Sequence, residues 1–160
     1  MSAWLWPTIR SISWVPLAGV TACLAALAAL AEYAGAWPAS MTGLAAAAVA
    51  GAIVAGMRDP AAALLSAVPT SVAVRRARRI ALLVPAGLGV WLALVGGSLL
   101  GLLALTAAGL AVSVWASVPL GVAVPLLWVI VARAVEHDWD LRPELVTVAA
   151  GAALWMGRDR

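Results

Sequence analysis

Residues 80–132 form a run of 53 positions without one Asp, Glu, Lys, Arg or His. A water-soluble fold has no interior large enough to hide so long an uncharged stretch, so the run is expected to face lipid over much of its length. One helix crossing a hydrocarbon core of about 30 Å needs only about 20 residues, so the run holds either two crossings or three. The positive-inside rule does not choose, because both counts leave eight of the ten arginines on one side. Local punctuation favours three. Gly96-Gly97-Ser98 and Ser117-Val118-Pro119 are places where helices stop and restart.

The rest of the chain follows the same logic. It is 65% hydrophobic and 11% charged, with a mean hydropathy of +1.05. Because a charge at the bilayer centre costs about 2.5–3.5 kcal/mol on insertion scales, charge-free segments locate the spans. The expectation is an all-α polytopic membrane protein, one domain over residues 1–160, with about six transmembrane helices. They fall near residues 11–31, 40–57, 80–96, 99–116, 119–133 and 141–157. The last is short, and either crosses fully or only dips into the membrane. This layout puts both termini and residues 58–79 in the cytoplasm of a bacterial plasma membrane, and residues 133–144 outside. Ten arginines with no lysine, amid abundant alanine, fit the codon bias of a high-GC genome of the actinomycete kind.

Cys23 is the single cysteine, which rules out an internal disulfide or a cysteine-based zinc framework. The stretch Val20-Thr21-Ala22-Cys23 resembles a lipoprotein cleavage box. The apolar run nevertheless continues to Ala31, so the segment reads as an uncleaved span. The net charge of +3 is modest and unevenly distributed, which gives nucleic acid no footing.

None of the first five spans holds an Asp, Glu, Lys, Arg or His in its interior, Arg133 only closing the fifth. Proton relays, ion-coupled carriers and voltage sensors need such groups at membrane depth. The same absence leaves no catalytic residue, metal site or cofactor site to nominate, so the chain is not expected to be an enzyme. Small residues dominate instead. Gly43, Ala47, Gly51 and Ala55 recur at four-residue spacing, and Gly97 and Gly101 form a GxxxG pair. Such ridges let helices pack closely, inside one chain or between subunits, although abundant alanine also produces them by chance.

Half of the arginines lie in residues 58–79. Asp59-Pro60 suits a helix start, followed by Leu64, Leu65 and Val68 on one side of a short helix ending at Pro69. Thr70 or Ser71 can cap a second helix leading into the third span, on which Arg75, Arg76, Arg78 and Arg79 oppose Ala73, Val74, Ala77 and Ile80. Two amphipathic pieces at the membrane surface are expected. In the plain reading they orient the protein and touch anionic lipid, at about 1 kcal/mol per arginine.

A second reading comes from a resemblance. An acidic residue, a leucine pair, Pro-Thr-Ser and then arginines, placed between the second and third of six spans, resembles the coupling segment of type-2 ATP-binding-cassette exporter permeases. Asp59, Leu64, Leu65, Pro69, Thr70, Ser71, Arg75 and Arg76 match that pattern in order. The resemblance covers roughly residues 40–100 locally and the rest only as a six-span layout. The Glu-x-Gly-Thr stretch that often precedes the leucines is replaced here by Arg58-Asp59-Pro60 and three alanines. The family implies a separate ATPase docking on residues 58–79, with Arg78 and Arg79 among the docking residues, and a second membrane subunit, identical or not.

The loop after the fifth span gathers Glu136, His137, Asp138 and Asp140 around Trp139. One histidine is too few for a zinc or copper site. A solvated acidic loop is expected, with Trp139 anchored at the interface and the four polar residues a possible outer gate. The resulting expectation is a permease subunit moving a hydrophobic or amphiphilic substrate under ATP hydrolysis by a partner. The competing expectation is a non-transporting structural or assembly subunit of a larger membrane complex.

Overall fold

The computed structural model describes residues 5–35, 39–58, 72–139 and 142–157. They form seven α-helices and no strand: α1 (Leu5–Ser11), α2 (Val15–Ala34), α3 (Ala39–Gly56), α4 (Val72–Leu94), α5 (Leu99–Trp115), α6 (Val118–Ala134) and α7 (Pro143–Met156). α2 and α4 are long and apolar enough to cross a membrane by length and composition, whereas α5, α6 and α7 are shorter apolar helices.

The breaks fall where local chemistry forces them. Gly35, with φ 83°, closes α2 by donating its N–H to Glu32 O. At the end of α4 the N–H groups of Val95 and Gly96 both reach Trp91 O, at 3.0 and 2.8 Å. Gly96 and Gly97 then take φ of 73° and 104°, a left-handed conformation that favours glycine. Ser98 restarts the chain by accepting a hydrogen bond from Gly101 N at 3.0 Å, the usual N-cap arrangement. Ser117 does the same for α6, accepting from Leu120 N, with Pro119 in the first turn. Residues 80–132 therefore contain three helical segments, as the Gly-Gly-Ser and Ser-Val-Pro breaks predict.

Side-chain contacts give the helix directions. Gly56 lies beside Leu83 and Gly87 beside Ile53, so α3 and α4 are antiparallel. Gly43 beside Val129 and Gly51 beside Val122 make α3 and α6 antiparallel as well. Thr42 beside Gly97 and Val54 beside Gly109 make α3 and α5 parallel. α7 runs parallel to α5, since Trp115 Nε1 donates to Ala153 O near both C-terminal ends. Successive long helices thus alternate in direction. α3 is the hub, packed against α2, α4, α5 and α6, and its Ala46, Ala47, Val49, Ala50 and Val54 are fully buried.

The tightest seam joins α5 to α6. A Cβ built on Gly121 would lie 2.5 Å from Gly109 O, and one built on Gly109 would lie 2.8 Å from Gly121 O. Only glycine lets the two backbones approach so closely.

One expectation is corrected here. Gly97 and Gly101 are not a helical ridge, because Gly97 sits in the turn with positive φ before the Ser98 cap. The arginine-bearing helix leads into the third apolar stretch as expected, since α4 runs unbroken from Val72 through Arg75–Arg79. A short helix, α1, precedes the first long one.

Candidate functional site

Four apolar-stripe positions on α4 point into the core: Arg79, Leu83, Gly87 and Trp91, each four residues apart. The first is an arginine, only 5% exposed. Its Nη1 donates to Met57 O at 3.2 Å and to Arg58 O at 3.0 Å, and its Nη2 donates to Ser11 O at 3.4 Å. The last carbonyls of a helix have no intrahelical donor and carry the negative end of its dipole. Met57 and Arg58 directly follow α3, and Ser11 is the last residue of α1. A planar, multi-donor guanidinium suits this task because it can serve several acceptors at once. Arg79 thereby fastens the C-terminal ends of α1 and α3 to the first turns of α4.

α1 is secured at the same end. Trp14 Nε1 donates to Ile9 O at 2.8 Å, Ser11 Oγ donates to Thr8 O at 2.9 Å, and the Arg10 guanidinium lies 4.9 Å above the Trp6 ring. Arg10 and Arg58 are exposed, while Arg75, Arg76 and Arg78 are half-buried. Arg79 therefore differs from its neighbours: it was grouped with the docking arginines, and its side chain is turned into the fold. Asp59, Leu64, Leu65, Pro69, Thr70 and Ser71 lie outside the described residues.

At the opposite end, Glu136, His137 and Asp138 are exposed, with Glu136 at φ 55° and His137 Nδ1 2.9 Å from Val135 O. Asp140 lies outside the described residues. Among the described residues no three His, Cys, Asp or Glu side chains converge as metal ligands would. Trp139 is half-buried and folds inward. Its ring meets Trp91 edge-on at 6.4 Å and 72°, lies against Gly43, and its carbonyl accepts from Trp128 Nε1 at 2.7 Å. Packing inside the chain, rather than anchoring at an interface, is the role its contacts describe.

No protein-family model, no curated protein and no solved structure matches this chain.

The small-residue ridge on α3 is brought together as expected, and its partners lie in the same chain. Gly43 faces Trp139 and Val129, Gly51 faces Val122, Ala47 is fully buried and Ala55 is half-buried. Gly101 is buried at the start of α5. Sequence reasoning missed two features. Extending the stripe Trp91-Gly87-Leu83 back by one more four-residue step lands on Arg79, which would have marked it as core-facing. The Gly109–Gly121 seam had a weaker signal, a glycine near the middle of one apolar segment and another early in the next.

Proposed function

We propose that the chain is the membrane-spanning permease subunit of an ATP-driven transporter, with α2 to α7 crossing the bilayer and a separate ATPase docking on residues 58–79. The alternating helices support a polytopic arrangement. Among the described residues they gather six arginines toward one end, and two arginines with four carboxylates toward the other. Such segregation orients a membrane protein with its arginine-rich end in the cytoplasm.

The observation that carries the transport reading is the Arg79 contact. A partner that displaces the 58–79 segment moves the start of α4, and Arg79 passes that displacement to the ends of α1 and α3. Because α3 is the hub, its movement repacks α5 and α6. Energy from outside the chain is required, since its apolar helices hold no ionisable relay of their own. The apolar body suits a hydrophobic or amphiphilic cargo.

The test is nucleotide hydrolysis by the assembly purified from its native membranes. Hydrolysis in the wild-type assembly, lost or uncoupled from substrate in the Arg75→Glu/Arg76→Glu double variant, supports the proposal. An assembly that hydrolyses no nucleotide overturns it. The close packing of α3, with five residues fully buried, favours one other reading, a structural or assembly subunit. That reading predicts a stable complex with membrane proteins alone, indifferent to the double variant.

A further inference from the structure

At the end remote from Arg75–Arg79, an apolar hollow of about 200 Å³ opens between α5, α6 and the start of α7. Ala104, Ala108, Val124, Trp128, Trp139 and Val146 contribute to its wall. A shallower hollow of about 150 Å³ adjoins it across Trp128, and its wall includes His137 and Asp138. Trp128 uses its Nε1–H on Trp139 O, which leaves the aromatic ring as the surface between the two hollows. Apolar cavities of about 150 Å³ stay dry and accept benzene-sized guests, so the larger hollow has room for a short alkyl segment.

The rim supplies a charge preference. Asp138 lines the shallower hollow, and the described residues around it carry Glu136 and Glu144 as well, against Arg133 and Arg142. An aromatic ring beside a carboxylate attracts a cation by two routes, Coulombic and through the ring's negative face. We propose that the paired hollows bind a single-chain cationic amphiphile, with its alkyl chain in the larger hollow and its positive nitrogen beside Asp138 and the Trp128 ring. The binding site stands without an ATPase; only its role as a cargo site rests on the transport reading above.

Equilibrium dialysis of labelled decyltrimethylammonium against the full chain in phosphatidylcholine nanodiscs tests this, with uptake by empty discs subtracted. Saturable binding at one site per chain is expected without nucleotide. Ala108→Phe, which fills the hollow, should weaken it more than about tenfold, because several methylenes lose their burial. Asp138→Asn, an exposed change that leaves the core intact, should weaken it by about three- to fivefold, as expected for one exposed charge pair. Decyl sulfate should bind less tightly than the cation. Uptake no greater than that of empty discs, unchanged affinity in both variants, or equal affinity for decyl sulfate would overturn the proposal. Binding that persists in an assembly without hydrolysis would sink the transport reading and leave the site standing.

Discussion

One end of the bundle is gathered by a guanidinium bound to helix-terminal carbonyls, the other by three tryptophans. The two devices treat a buried polar group differently. Arg79 reaches acceptors on two separate segments, so its burial is matched by hydrogen bonds. Trp91 is fully buried, and its Nε1–H has no partner among the described residues. It is kept for the size and edge-on packing of its ring, at the expense of one unmade hydrogen bond. The lesson is directional. Where the ends of α1 and α3 meet α4, the chain uses directional charge-assisted bonds; where helices need only to be spaced, it uses aromatic bulk.

Five substitutions break or sharpen this contrast, each read as thermal unfolding of the purified chain by circular dichroism. Trp91→Ala empties the centre of the aromatic end and should destabilise by about 3–5 kcal/mol. Arg79→Ala leaves the carbonyls of Met57, Arg58 and Ser11 without their donor and should cost about 2–3 kcal/mol, with Arg79→Lys in between because one ammonium cannot reproduce the fork. Gly121→Ala forces α5 and α6 apart at the seam shared by both ends, for about 1–3 kcal/mol. Trp91→Phe removes the orphaned N–H while keeping most of the ring, and should lie within about 1 kcal/mol of wild type. A large loss in Trp91→Phe would show that the indole N–H is in use, and the contrast between the ends would fail.

The sequence made the long helices legible because their limits are set locally. Charge-free lengths and the Gly-Gly-Ser and Ser-Val-Pro breaks are properties of neighbouring residues, and they survive packing. What a helix faces is not local in this sense. In an apolar chain, inward and outward sides have nearly the same hydropathy. On α2, Leu17 and Leu24 are buried while Leu27 and Leu30 are exposed, and no polarity pattern separates them. For the same reason the α3 ridge could be seen as a packing surface without its partner being known. Composition groups Arg79 with Arg75, Arg76 and Arg78, all arginines in one short segment; its four-residue spacing from Leu83, Gly87 and Trp91 sets it apart, and only the three-dimensional structure shows that the ends of α1 and α3 supply its acceptors. Trp139 followed the same course. An aromatic residue in an acidic loop reads as an interfacial anchor until the backbone at Glu136 turns it back onto Trp91.

The account depends on the 58–79 segment being the place where force enters. A photoreactive amino acid at position 65, in place of Leu65, tests this directly in the assembly within its native membrane. Covalent attachment to a subunit with a phosphate-binding-loop ATPase sequence, abolished by Arg75→Glu/Arg76→Glu, is the predicted result. Attachment to phospholipid alone, with the same yield in the double variant, would contradict it.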